Sequence, residues 1–169
     1  MSTSFSYPIE VRFRDLDALG HVNNAVYLTY LESARIAYWL HVTRRSGLDA
    51  LDMILARVEI DYRSPLSHGE AVDVSVRCAS MRRSSFVLEF KATERSAGRL
   101  GAEARKVLVH YDYAASRPIP LPPELRELRL FKEALAAAEE GLATTPDAVL
   151  AQYASLVEEE LTEAEKEEC

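Results

Sequence analysis

Val11-Arg12-Phe13-Arg14-Asp15-Leu16-Asp17-Ala18-Leu19-Gly20-His21-Val22-Asn23-Asn24 is the stretch on which the reading of this chain turns. At its start Ile9, Val11 and Phe13 alternate with Glu10, Arg12 and Arg14, the period of a half-buried strand. Gly20 lets the backbone turn tightly. Beyond it Tyr27, Tyr30, Leu31, Ala34, Tyr38 and His41 recur at helical spacing, with no Pro or Gly until Gly47. Val26, Leu28, Ile36, Ala37, Trp39 and Leu40 make the other faces apolar too, which predicts a helix buried in the middle of the domain. The stretch thus carries Asp17 from a strand to the start of a long helix. There, backbone N–H groups without intrahelical partners favour negative charge. An acid beside such an oxyanion site is a layout for acyl transfer.

Downstream, four more strand-like segments follow. Ile54, Ala56, Val58, Ile60 and Tyr62 alternate with charged residues up to Ser64-Pro65. Val72, Val74, Val76 and Cys78 form the next, and Phe86, Leu88, Phe90 and Ala92 the one after. Leu100 to Tyr113 is the last, with Val107, Val109 and Tyr111 on one face. Short polar connections favour antiparallel hairpins. The expected architecture is α+β: a five-stranded antiparallel sheet wrapped around a long central helix. Arg117-Pro118-Ile119-Pro120-Leu121-Pro122-Pro123 should end the sheet, since proline cannot continue a ladder. Helix formers then dominate, predicting one helix over Leu125–Leu142 and a second, opened by Thr144-Thr145-Pro146-Asp147, to about Glu168. The organisation expected is a domain over 1–130 and an acidic C-terminal helical extension over 131–169.

Charge follows that division. The 169 residues carry a net −7. Residues 131–169 hold 2 Lys+Arg against 11 Asp+Glu, whereas residues 1–130 hold 18 against 16, so the acidity belongs to the tail. A body this near neutral argues against nucleic-acid binding. No apolar run reaches membrane-spanning length, and the first residues lack the basic and apolar regions of a signal peptide, so a cytoplasmic location is expected. Cys78 reads as a small core residue and Cys169 is the last residue, so no framework disulfide is expected. Neither paired cysteines nor His-Glu-x-x-His suggests a metal site.

Asp15-x-Asp17-x-x-Gly20-His21-Val22-Asn23-Asn24-x-x-Tyr27, followed by Tyr30-Leu31-Glu32-Ser33-Ala34-Arg35, resembles the 4-hydroxybenzoyl-CoA thioesterase-like hot-dog proteins. Ile60-Asp61-Tyr62-x-x-Pro65-Leu66, Arg82-Arg83-Ser84-Ser85-Phe86 and Pro118-Ile119-Pro120-Leu121-Pro122 match in the same order, so the likeness runs from about Tyr7 to Leu128. The resemblance implies a hot-dog fold and an acyl-CoA thioesterase of lipid metabolism. The Gly-His-Val-Asn-Asn turn is closer to the branch acting on fatty acyl-CoA thioesters. It also implies a homodimer or homotetramer with the site between subunits, and no cofactor, coenzyme A being part of the substrate.

The same resemblance makes Asp17 the catalytic carboxylate, either a general base toward water or a nucleophile forming a mixed anhydride. The plain alternative is an Asp that caps the helix or pairs with an arginine. Asp15 is expected to fix the turn or pair with an arginine. Asn23 and Asn24 are good N-caps, and the resemblance points the Asn24 N–H at the thioester oxygen. His21 would orient Asp17 or water, or only stabilise the turn that Gly20 permits. Tyr27 either lines the acyl site or fills the core. Glu32 either pairs with Arg35 at i,i+3 or, by resemblance, faces the acyl pocket and reads the distal end of the substrate. Arg82, Arg83 and Ser84, at the hairpin between the third and fourth strands, could hold the phosphates of coenzyme A. His41, His68 and His110 show no partners at metal or triad spacing and are assigned no chemistry. Two other classes stay open: an acyl-CoA or acyl-carrier-protein binder acting as sensor or scaffold, and a hydratase using His21.

Overall fold

Five strands longer than four residues and one long helix account for most of the chain that the computed structural model describes, residues 5–47, 51–123 and 125. The chain divides into two compact units, Met1–Leu121 and Pro122–Cys169. The helical extension expected over 131–169 lies outside the described residues. In the first unit β1 (Phe5–Glu10) leads through a 3₁₀ turn (Phe13–Asp15) to α1 (Asn24–Thr43). β2 (Met53–Tyr62), β3 (Ala71–Met81), β4 (Ser85–Glu94) and β5 (Leu100–Asp112) follow, and a short β6 (Arg117–Pro118) pairs with β5.

All strand pairs are antiparallel, in the order β1-β3-β4-β5-β2. This corrects the simple meander: β3, β4 and β5 are joined as hairpins, but β2 sits at the far edge beside β5, away from β3. The central strands are the most apolar. Val72, Val74 and Val76 of β3 and Phe86, Leu88, Phe90 and Ala92 of β4 are buried against Leu31, Ala34, Tyr38 and Trp39 of α1. Trp39 stacks on Phe86 with ring centroids 5.3 Å apart. Fully burying each such large apolar side chain contributes about 1.5–3 kcal/mol. Gly101 is the close-approach glycine, because a Cβ there would lie 2.9 Å from the Leu66 side chain.

Four expectations change on inspection of the faces. Phe13 does not continue the first strand; it sits in the 3₁₀ turn and is 80% exposed. The helix is not buried all round: a single sheet covers one side, leaving Leu28 exposed and Val26, Ile36, Ala37 and Leu40 half-buried. On β5 the row facing the helix is Ala102, Ala104, Lys106, Leu108 and His110, all buried, whereas Val107, Val109 and Tyr111 lie on the outer face. β-Branched residues suit a pleated, half-covered surface, which made the outer row look like the core. Lastly, β2 slips register between Leu55 and Arg57. That bulge moves Val58, Ile60 and Tyr62 to the helix side opposite Lys106, Ala104 and Ala102, while Ile54 pairs with outer-face Val109.

Candidate active site

The turn before α1 is built from main-chain hydrogen bonds. The Asp17 N–H donates to the His21 carbonyl (2.8 Å), and the Gly20 N–H donates to the Asp17 carbonyl (3.1 Å). Gly20 takes φ +78°, the left-handed region that glycine enters without strain. A second strut joins this turn to the segment ahead of β3: the Val22 N–H donates to the Leu66 carbonyl, and His21 bridges Ser67. The turn is thereby fixed at the end of the sheet where β1 finishes and β3 begins.

Within it the Asp17 carboxylate is oriented by one oxygen only. Oδ1 accepts from the Leu19 N–H at 2.8 Å and from the His21 N–H at 3.3 Å. Oδ2 enters no hydrogen bond among the described residues. The side chain is half-buried, so it is held in place yet reachable. His21 reaches Asp17 through its backbone, and its ring is exposed.

Asn23 caps α1, its side-chain oxygen accepting from the Ala25 N–H at 2.9 Å. The Val26 N–H is taken by the Asn23 carbonyl. The Asn24 N–H, first of the helix, has no acceptor among the described residues and points out of the helix start. On its other side the Asn24 carbonyl accepts from the Tyr62 hydroxyl of β2 at 2.9 Å. Asn23 and Asn24 therefore have separable roles, one a side-chain cap and the other an open amide.

Asp15 differs from Asp17 in every respect. It is 8% exposed, and its Oδ2 accepts from the Tyr30 hydroxyl at 2.8 Å and the Arg12 N–H at 2.9 Å, while its carbonyl accepts from the Asn23 N–H. It ties the 3₁₀ turn to α1. Burial first, and then the Asp15 carboxylate, raise the Tyr30 phenol above its usual range. Tyr27 is 3% exposed, packs edge-on against Tyr62 with ring centroids 5.2 Å apart, and has its hydroxyl hydrogen-bonded to the Leu66 backbone. Its phenol is also raised, mainly by burial. Glu32 pairs with Arg35 at 3.2 Å.

Arg82, Arg83 and Ser84 stand apart from this group. They form the β3–β4 hairpin, closed by the Arg82 N–H donating to the Ser85 carbonyl. Both arginines are exposed and neither guanidinium has an acceptor among the described residues. The hairpin lies at the opposite end of the sheet from Asp17. The 10 residues of β4 alone span about 30 Å of strand. Within one chain, these two sets of residues do not meet.

Three further residues escaped the sequence reading. His110 is 5% exposed, its Nε2 3.0 Å from Asp52 Oδ2 and its Nδ1 against the Pro120 carbonyl. Asp52 also takes a 2.7 Å ion pair from Arg45. Desolvation pushes the Asp52 carboxyl up, but His110 and Arg45 outweigh it and hold it below its ordinary value. Lys106 is 2% exposed, with its ammonium 5.4 Å from the Phe90 ring centroid. Tyr62 is the third, through its bond to Asn24. Lys106 alone left a trace in the sequence, as the one cation in the apolar alternation Ala102, Ala104, Leu108. The described residues contain no group of three or more metal-ligand side chains, and no described helix is long and apolar enough to cross a membrane.

A sheet curled over one helix, with a carboxylate turn at the helix start, defines the hot-dog fold and a site laid out for acyl transfer. A profile of the Thioesterase-like superfamily matches residues 11–128, and the chain belongs to that superfamily. It is 41% identical to a thioesterase of Thermus thermophilus solved in complex with coenzyme A and Zn. That alignment covers 74% of this chain and 95% of the other, with a TM-score of 0.64. Among curated proteins, the long-chain acyl-CoA thioesterase FadM of Escherichia coli (strain K12) is 27% identical over 124 residues, 70% of this chain and 92% of FadM. YsmA of Bacillus subtilis (strain 168) is 29% identical over 90 residues, a match spanning 52% of this chain and 61% of YsmA.

Proposed function

We propose that this protein is an acyl-CoA thioesterase, hydrolysing fatty acyl-CoA to the free acid and coenzyme A. One observation carries the reading: Asp17 is locked through Oδ1 by backbone amides while Oδ2 stays open, directly ahead of a helix whose first N–H is unclaimed. As general base, Oδ2 takes a proton from water as the water oxygen bonds to the carbonyl carbon. The carbonyl electrons move to oxygen, where the Asn24 N–H and the helix start stabilise them. Collapse breaks the C–S bond, and Asp17 returns the proton to the departing thiolate. As nucleophile, Oδ2 forms an anhydride that water then cleaves to the same products. Neither route calls on a bound cofactor.

The distance from Asp17 to the Arg82-Arg83-Ser84 hairpin favours a homodimer or a homotetramer. β2 is an open edge of 10 residues that exposes Ile54 and Leu55, whereas the other edge, β1, has 6 residues and is interrupted by Pro8. Pairing two β2 edges antiparallel sets the Tyr62 end of one copy beside the Met53 end of the other. The partner's hairpin then approaches the first copy's turn, supplying arginines for the phosphates of coenzyme A. A cytoplasmic enzyme of lipid metabolism is the corresponding cellular role.

Thiol release from acyl-CoA esters of graded length, with Asp17→Asn alongside wild type, tests the reading. Turnover by wild type and its loss in a folded Asp17→Asn support it; binding without turnover would make the protein a sensor. For the shared site, mixing Asp17→Asn with an Arg82→Ala/Arg83→Ala double variant should restore activity that neither has alone.

A further inference from the structure

From Pro118 to Pro123, in the strap that leaves β5, only Ile119 and Leu121 carry a backbone N–H, because every other position is proline. Both donors are used. The Ile119 N–H donates to the His110 carbonyl at 3.0 Å, and the Leu121 N–H to the Arg83 carbonyl of the β3–β4 hairpin at 2.8 Å. Between those two ties the His110 ring supplies a third, its Nδ1 lying 2.5 Å from the Pro120 carbonyl. The backbone N–H of His110 donates to the Ser84 carbonyl at 2.8 Å. One residue thus binds the strap and the hairpin together.

The hairpin depends on these ties. On its β3 side the ladder is interrupted by a bulge between Cys78 and Ser80, just ahead of Arg82. Arg82 and Arg83 are exposed and their guanidiniums have no acceptor among the described residues, so the backbone alone sets where they start. The ring that secures the strap is itself locked. Pro120 offers it only a carbonyl, and Asp52 is held ionised by His110 and Arg45, so both ring nitrogens donate. Trp39 of α1 lies against the imidazole, ring centroids 6.3 Å apart.

We propose that His110 is a positioning residue for coenzyme A: its Nδ1 bond to Pro120 fixes the strap that holds Arg83, and so sets where the two guanidiniums meet the phosphates. This rests on the reading of the Arg82-Arg83-Ser84 hairpin as the coenzyme A handle. His110 touches no substrate atom; it acts on binding through Pro120 and Leu121.

The test uses the full chain and two esters of one fatty acid, the acyl-CoA and the N-acetylcysteamine thioester, which lacks the nucleotide and its phosphates. In His110→Gln the amide nitrogen falls where Nε2 stood and keeps the Asp52 bond; in His110→Asn it falls where Nδ1 stood and keeps the strap. His110→Gln should raise KM for the acyl-CoA about tenfold with kcat within about twofold of wild type, and His110→Asn should return KM to the wild-type value. The N-acetylcysteamine ester should be turned over alike by all three. In wild type, coenzyme A alone should slow hydrogen exchange at the Ile119 and Leu121 amides, a measurement that needs no variant to fold. Equal KM in His110→Gln and His110→Asn, an equal loss on both esters, or exchange unmoved by coenzyme A would overturn the proposal. A wild-type KM in Arg82→Ala/Arg83→Ala would instead overturn the hairpin reading, and this proposal with it.

Discussion

The two ends of the sheet are held by different means. At the end where α1 begins, the geometry of the candidate site is written in backbone: Asp17, Gly20, His21 and Val22 are fixed by main-chain donors and acceptors. At the opposite end, main-chain bonds such as Ile119 N–H to the His110 carbonyl and Leu121 N–H to the Arg83 carbonyl are joined by a buried side chain, His110, which links Asp52 of the segment before β2 to Pro120 of the strap after β6. The first end can lose a functional side chain and keep its shape. The second cannot lose His110 without stranding its partners.

Substitutions at each end should separate activity from stability. Asp17→Asn keeps an oxygen for the Leu19 and His21 amides but removes the carboxylate proposed as base or nucleophile, so kcat/KM should fall about 10³-fold with little change in thermal midpoint. Activity that survives in that variant would break the contrast at its catalytic end. His110→Leu should do the reverse. It leaves the Pro120 carbonyl unpaired and Asp52 with Arg45 alone, lowering stability by about 2–3 kcal/mol in urea unfolding, while folded enzyme keeps its turnover.

Lys106, between the two ends, gives the pH signature. The folded ammonium titrates at about 8 against 10.5 for the free group, burial being the main cause. Between those values the unfolded chain binds more protons, so stability should rise with pH over that window, by on the order of 2 kcal/mol. The raised phenols of Tyr27, Tyr30 and Tyr38 stabilise the fold below their ordinary value of 10.0 and cease to do so above it, so the rise is best read below pH 10.0. Lys106→Met should flatten it. The smallest effect is expected from Gly20→Ala, about 1 kcal/mol from forcing a Cβ into the left-handed region, measured as a shift in unfolding midpoint.

How much of this was legible beforehand depended on whether a signal was local. The N-cap at Asn23, the turn glycine and the i,i+3 pair of Glu32 with Arg35 are short-range, and the residue types announced them. The structural role of Asp15 in fixing the turn was foreseen in kind, though Tyr30 as its partner was not, because 15 residues lie between them. The Asp52–His110 pair spans 58 residues, and no spacing rule reaches that far. The β5 face was misread for a different reason. Val107, Val109 and Tyr111 carry the stronger hydrophobic signal, while the true inner row contains two alanines, a lysine and a histidine. Strand order, too, was hidden, since β2 passes its sequence neighbour and pairs at the far edge.

The slip in β2 has a consequence for how this chain tolerates change. Ala56 is the residue without a partner in the ladder, exposed and small. Replacing it should matter little, and a substitution scan would mark it dispensable. Deleting it would only straighten the ladder: Leu55 opposite Leu108 would run directly into Arg57 opposite Val107, and Val58, Ile60 and Tyr62 would keep the helix side. Position 56 is therefore dispensable as a side chain and as a spacer between faces, and what it adds is the local bend and twist of a bulge.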